Sequence, residues 1–316
     1  MVLLGILSTV ADAATVADAD GALAYARRTD AAHAAVVVDS RPRAACVRRT
    51  LAGARCLPIA DFLGPHGRFV DPRGLLWLLG GAGLTGSEAV LVAGDDPLAR
   101  DFVAGVLFLA GQRRVRVLGA KLSAVLDRTP AMAGAGTPRA MTRRVIFQAP
   151  MRDRFIVLRG ELADRLARPD PPALLDGRSE KEYWGASIRG LRGGHIPGAE
   201  HLPAARLRAN WARASGRIPR LSRPIAYAHN PLESIAYVTL LHAAGAIDAR
   251  VYVEGWADWA AHTALPADSV TYPERVASRR LSKLGRAPLP WAYPAAAALA
   301  AVAIAAGGFY FGRRSA

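Results

Sequence analysis

The sequence predicts an α/β protein: two similar domains, each a mainly parallel sheet with helices on both faces, and then a C-terminal transmembrane helix. Three observations carry that expectation. Apolar runs of strand length recur in both halves in the same order and end in the same short motif. A helical stretch stopped by glycine follows the second strand of each copy. The last apolar segment is long, uncharged and flanked by basic residues.

The elements follow in chain order. Val36-Val37-Val38-Asp39-Ser40-Arg41 has its counterpart in Ala173-Leu174-Leu175-Asp176-Gly177-Arg178. Each is an apolar run ending in Asp-x-Arg, as expected of a buried parallel strand and the loop after it. Gly-Ala-x-x-Leu-Pro occurs at Gly53 to Pro58 and again at Gly198 to Pro203, which aligns Cys56 with His201. Residues 89–93 and 224–228 are the second strands. The helices at 98–110 and 234–244 follow, stopped by Gly111 and Gly245. Residues 115–119 and 251–255 are the third strands. The offsets are 137 (Asp39 to Asp176), 145 (Gly53 to Gly198) and 134 (Gly111 to Gly245), so the pattern is a duplication with loop insertions. Strand–helix–strand order implies parallel sheets. The expected boundaries are 14–126 and 151–266, joined by a Pro- and Gly-containing linker at 127–150.

Residues 289–311 carry no charge. About 20 apolar residues cross a bilayer core, so this stretch is expected to span one. Trp291 and Tyr293 at one end and Phe309 to Phe311 at the other suit interfacial positions. A basic segment, 267–288, precedes it and a basic tail, 312–316, follows. At the other terminus, Val2 to Val10 is apolar and Ala11-Asp12-Ala13 has the form of a cleavage site, without a basic n-region. Residues 1–13 therefore read as a signal remnant or a first helix. The positive-inside rule alone would put the domains in the cytoplasm. A translocating signal acts first, however, and large domains cross regardless of charge, so periplasm-facing domains are the preferred orientation.

Two longer matches to the Asp-x-Arg and Gly-Ala pieces identify a family. Leu174 to Gly185, Gly194-His195-Ile196-Pro197-Gly198-Ala199, and Gly255-Trp256-Ala257-Asp258-Trp259 resemble the motifs of the rhodanese sulfurtransferases, in their tandem-domain form. The resemblance covers about residues 15–265 and implies two rhodanese-like domains. Asp176, Arg178, His195, Gly198 and Trp256 are expected to build the scaffold rather than to do chemistry. The family carries sulfur as a cysteine persulfide in the loop between strand and helix. A thiolate attacks the donor's sulfane sulfur, and backbone N–H groups at the helix N-terminus hold the anion.

That loop is altered here. It reads Ala228-His229-Asn230-Pro231-Leu232-Glu233-Ser234, with Ala228 at the nucleophile position. Pro231 removes one N–H. Glu233 stands where the family often has Arg; at roughly 4 Å and an effective dielectric near 20 it would repel an anion by about 4 kcal/mol before screening. In the first copy the same position is Gly94, followed by Asp95 and Asp96. No catalytic residue, cofactor or metal is therefore expected. Cys46 and Cys56, the only cysteines, read as buried thiols. They are also the fallback nucleophiles of the alternative, an active thiosulfate-type sulfurtransferase using a non-standard cysteine.

Composition agrees with two folded domains. The chain has 316 residues, 52% hydrophobic and 21% charged, which excludes a disordered or fibrous protein. The net charge is +15, but basic residues do not interleave with aromatics, so nucleic acid is not an expected partner. Two cysteines are too few for a disulfide scaffold or a four-thiolate zinc site. The expected partners are the lipid bilayer and either a protein or a small sulfur-containing ligand.

Overall fold

The computed structural model describes residue 21 and residues 23–26, 36–64, 69–213 and 221–268, with only the backbone of 210–213. The candidate leader at 1–13, the basic segment beyond 268, the span at 289–311 and the tail at 312–316 lie outside these residues. Among the described residues no helix is long and apolar enough to cross a membrane. All of them belong to one compact unit.

The first half is a six-stranded parallel sheet. Its strands are β1 (Leu23–Ala26), β2 (Val36–Asp39), β4 (Arg55–Cys56), β5 (Ala89–Ala93), β6 (Arg114–Leu118) and β8 (Thr137–Pro138), in the order β1-β6-β5-β2-β4-β8. Short strands β3 (Thr50–Leu51) and β7 (Ala133–Gly134) pair separately, antiparallel. The second half has β9 (Ile156–Val157), β10 (Leu174–Asp176), β11 (Ala199–His201), β12 (Ile225–Tyr227) and β13 (Arg250–Tyr252), in the order β11-β10-β12-β13-β9, all parallel. Read from its other edge, this is the first sheet's order without β8.

Register makes the correspondence residue-specific. Asp39 pairs with Cys56 and Ala93, and Asp176 with His201 and Tyr227. Gly94 and Ala228 therefore leave equivalent strands at equivalent points, at their carboxyl ends. Two features were not legible in the pattern. The first strand of each half, β1 and β9, is too short to show a period. The segment expected as a linker also supplies β7 and β8, the latter extending the first sheet.

The helices in chain order are α1 (Arg43–Arg48), α2 (Ile59–Phe62), α3 (Pro72–Gly81), α4 (Pro97–Ala110), α5 (Leu122–Arg128), α6 (Arg159–Leu166), α7 (Glu180–Tyr183), α8 (Ala204–Arg213), α9 (Pro231–Gly245) and α10 (Gly255–Ala261). Two of them join the halves. From Ala99 to Ala110, α4 is buried throughout, because its own sheet lies on one side and α9 on the other. Gly105 permits the approach: a Cβ there would sit 2.5 Å from Thr239 Oγ1 and 2.6 Å from Ile235 Cγ2. Asp101, wholly buried, accepts from Arg100 at 3.0 Å and from Arg208 at 3.0 Å across the same seam. Gly111 ends α4 in the left-handed region at φ 106°, as its position implies. The expected stop at Gly245 is displaced by one: α9 includes Gly245, and Ala246 takes the left-handed cap at φ 49°.

Candidate functional site

The Asp-x-Arg motifs fold identically in the two halves. Asp176 Oδ1 accepts from the Arg178 backbone N–H at 2.9 Å, and Asp39 Oδ1 accepts from that of Arg41 at 2.9 Å. Each Arg side chain then returns to its own Asp, at 3.0 and 2.5 Å in the second half and 3.1 and 2.8 Å in the first. Arg178 also donates to Gly194 O at 2.8 Å and lies 4.7 Å from the centre of the Trp256 ring. Asp176, Gly194 and Trp256 thus meet around one buried guanidinium. Burial opposes its charge, but Asp176, with Tyr227 and Glu182, outweighs that, so the Arg178 pKa is raised.

His195 is held on every side. Its Nδ1 lies 2.9 Å from Tyr183 O, its ring stacks on Tyr183 at 3.8 Å, and its backbone bridges to Asp268. Gly198 adopts φ 79° in the turn that leads into β11, where L side chains rarely go.

The loop after β12 is closed by its own groups. Ala228 is buried, and its N–H donates to Ser234 Oγ at 3.0 Å. Asn230 caps α9, its Oδ1 accepting from Glu233 N at 3.0 Å, while its carbonyl accepts from Ser234 N at 2.8 Å. Pro231, at the first helical position, has no N–H. The loop carbonyls are used too. Ala228 O and His229 O accept from Trp256 N and Ala257 N, both at 2.8 Å. Gly255 makes this possible, since a Cβ there would lie 2.6 Å from Ala228 O. The N–H groups of Ala228, Glu233 and Ser234 are therefore committed before any anion arrives.

Glu233 does not stand uncompensated, as its place in the loop had implied. Arg189 takes both carboxylate oxygens, at 2.8 and 2.7 Å, and reaches Glu182 at 2.7 Å. The repulsion is offset, but the guanidinium that could greet a substrate anion is occupied by two internal carboxylates. Arg189 was missed by the sequence reading because it is 44 residues from Glu233 in an irregular loop, where no period marks it.

His229 is buried, and its Nδ1 has no hydrogen-bond partner. Burial pushes its pKa below the usual value and Arg189 adds to that, while Glu233 opposes it. The neutral ring is favoured in the folded state, so this group's contribution to stability falls as pH drops through about 6.5, the unfolded value. Glu233→Gln should move the His229 titration to still lower pH, read by NMR from the imidazole carbon-bound protons. An upward move would contradict the arrangement.

In the first half the corresponding position, Gly94, has no side chain, and one placed there would have to displace the Ser40 hydroxyl. A Cβ on Gly94 would lie 2.2 Å from Ser40 Oγ. Asp96 caps α4 by accepting from Leu98 N at 3.0 Å, and Asp95 accepts from Ser123 N at 2.8 Å. The reading of Cys46 and Cys56 as free buried thiols is corrected by the structure. They form a disulfide, with Cα atoms 5.8 Å apart, and no cysteine is free. Their spacing in sequence gave no sign of it. They meet because α1 turns the chain back so that β4 lies beside β2. Among the described residues no cluster could hold a metal ion.

Residues 158–262 match the family model described as Rhodanese-like domain. The second half is a rhodanese-like domain. A protein of Synechococcus elongatus assigned as a thiosulfate sulfurtransferase is 27% identical over 260 residues, covering 72% of this chain and 76% of its own. Among solved structures, EanB in complex with ergothioneine superposes with a TM-score of 0.58 at 21% identity, covering 74% of this chain and 64% of EanB. The chain therefore spans less than two thirds of EanB. A crystal structure assigned to a thiosulfate sulfurtransferase gives a TM-score of 0.52 at 24% identity, covering 74% of this chain and 97% of the other. These structural likenesses establish the fold. Within the rhodanese-like domain, the Asp176–Arg178 pair and Trp256 flank a loop that carries Ala228 where its strand ends.

Proposed function

We propose that the chain is a membrane-anchored tandem rhodanese-like protein that binds a partner and does not carry sulfur as a persulfide. The observation that carries this reading is the loop at Ala228. It has no thiol, its Ala228, Glu233 and Ser234 N–H groups are donated internally, and Arg189 is neutralised by Glu233 and Glu182. The shared strand order and register support the first half as a second copy of the domain, and Gly94 supplies no nucleophile there. A protein partner fits better than a sulfur-containing anion, because the basic group nearest the loop already has its counter-charges. The Cys46–Cys56 bridge supports domains that face an oxidising compartment, as in the periplasm-facing orientation. The alternative, sulfur transfer from thiosulfate, is favoured by the relative's name. It lacks a free thiol in this chain.

The test is transfer from thiosulfate to cyanide by the purified full chain, with mass measurement after exposure to thiosulfate alone. Neither thiocyanate above background nor a gain of one sulfur atom is expected; either result overturns the proposal. Ala228→Cys alone should remain inactive, because Pro231 and the Asn230 cap keep the loop closed. Ala228→Cys with Pro231→Gly and Glu233→Arg releases Arg189 from one of its two carboxylates, restores an N–H and removes the loop's negative charge. That triple variant should form a persulfide detectable by mass.

A further inference from the structure

Of the large apolar side chains exposed among the described residues, Trp77, Met141 and Ile146 belong to two segments that lie against each other. Trp77 is on α3, and the other two are on the irregular stretch at 139–147. The end of α3 explains the contact. Its last carbonyls have no partner within the helix, so a neighbouring segment must supply donors. Ala140 N donates to Gly81 O at 3.0 Å, and Arg144 N and Val145 N both donate to Gly80 O at 3.2 Å. Gly80 allows the approach, since a Cβ there would collide with Val145 O.

The charge of this surface is of one sign. Arg73 precedes Trp77 by one turn on the exposed face of α3, and the Arg143 guanidinium lies 5.1 Å from the centre of the Trp77 ring. Arg144 follows. All three arginines are exposed, and among the described residues none forms an ion pair. Arg139, at the start of the stretch, is matched by Asp61 at 3.2 Å. Neither 72–81 nor 139–147 contains an Asp or Glu. The carboxylate before α3, Asp71, is its cap and accepts from Gly74 N at 2.7 Å. Unpaired guanidinium groups set among exposed apolar side chains call for an occupant that is anionic and apolar at once. An anionic bilayer surface is both. Its phosphates accept from guanidinium, indole settles at headgroup level, and Met and Ile side chains reach the acyl boundary. A peptide strand finds less here, because the N–H groups of Ala140, Arg144 and Val145 are spent on α3.

We propose that this surface docks on an anionic lipid bilayer, with Trp77, Met141 and Ile146 at the headgroup boundary and Arg73, Arg143 and Arg144 on lipid phosphates. The choice of a bilayer rests on the reading of 289–311 as a membrane span, which would tether the chain to one. The surface is separate from the loop at Ala228 and does not depend on whether the second half transfers sulfur. Each arginine near such a membrane strengthens the contact about fivefold, so three amount to about a hundredfold.

Met141, 85% exposed, is the reporter. The full chain is placed in lipid nanodiscs of phosphatidylcholine, alone or with added phosphatidylglycerol, and its oxidation by hydroxyl radicals is read residue by residue by mass spectrometry. Met141 should be oxidised about tenfold more slowly in the anionic discs, a part of the gain that three charges supply. Arg73→Gln with Arg143→Gln and Arg144→Gln should remove that difference; the three side chains are exposed and unpaired, so the fold is retained. Equal oxidation of Met141 in the two discs, or protection that persists in the triple variant, would overturn the proposal. So would protection by added polyglutamate with none by the anionic lipid, which would assign the surface to an acidic protein. Retention of the chain by discs of phosphatidylcholine alone reads the membrane span separately. A chain that only the anionic discs retain, through the three arginines, would keep the docking surface and lose the span.

Discussion

Asp176→Ala should cost the protein about 3–5 kcal/mol, the usual penalty for removing one partner of a buried ion pair. Arg178 would then be a charge with side-chain exposure of 1% and no counter-ion. Its remaining partners, Gly194 O and the Trp256 and Tyr227 rings, accommodate a cation but do not neutralise it. Urea unfolding followed by tryptophan fluorescence reads the loss directly, since Trp256 and Trp259 are both buried in this half. Asp39→Ala offers the matched comparison. The hydrogen bonds are the same, but the Arg41 side chain is 11% exposed, so water can solvate it and the loss should be smaller. Replacing both partners, Asp176→Leu with Arg178→Met, should recover part of the stability, because no charge is then stranded. A single variant as stable as the parent would mean that Arg178 reaches water and that the scaffold is looser than described.

Those two pairs also show what the sequence reading could and could not reach. Asp-x-Arg at the end of an apolar run is local, so the strand, the loop and the pair were legible together. The alignment of Cys56 with His201 was legible for the same reason, and the sheet register reproduces it. The place of Ala228 at the end of its strand was equally plain, being a matter of counting from the helix stop. What escaped was long-range. Arg189 cancels Glu233 from a loop with no periodicity, and the Ser40 hydroxyl beside Gly94 comes from the loop after another strand. β1 and β9 are held by pairing to β6 and β13 rather than by any pattern of their own. The cysteines failed in a third way. Their number argued against a disulfide scaffold, and that is true, but it says nothing against one bridge.

Cys46→Ala with Cys56→Ala should lower stability by about 3 kcal/mol on the chain-entropy account of a loop this short, or about 6–12 °C in Tm for a unit of this size. The bridge is also packed. Both residues are buried, and Gly136 lies so close that a Cβ there would be 2.5 Å from Cys46 Sγ and 2.7 Å from Cys56 Sγ. Gly136 N donates to Cys46 O at 3.1 Å and leads directly into β8. Loosening α1 should therefore release the edge of the first sheet, seen as faster amide exchange at Thr137. The second half, built on its own sheet, should keep its protection. Burial makes a further distinction. Reductant should reach the sulfurs slowly in the native protein and rapidly once it is unfolded, so a thiol-reactive dye reports unfolding rather than exposure. Dye uptake by unreduced, unfolded protein is the decisive negative. Two thiols counted there would remove the bridge and the support it gives to an oxidising compartment, while restoring Cys46 and Cys56 as candidate sulfur carriers. No thiols counted there leaves the chain without a nucleophile for sulfur, whichever half is considered.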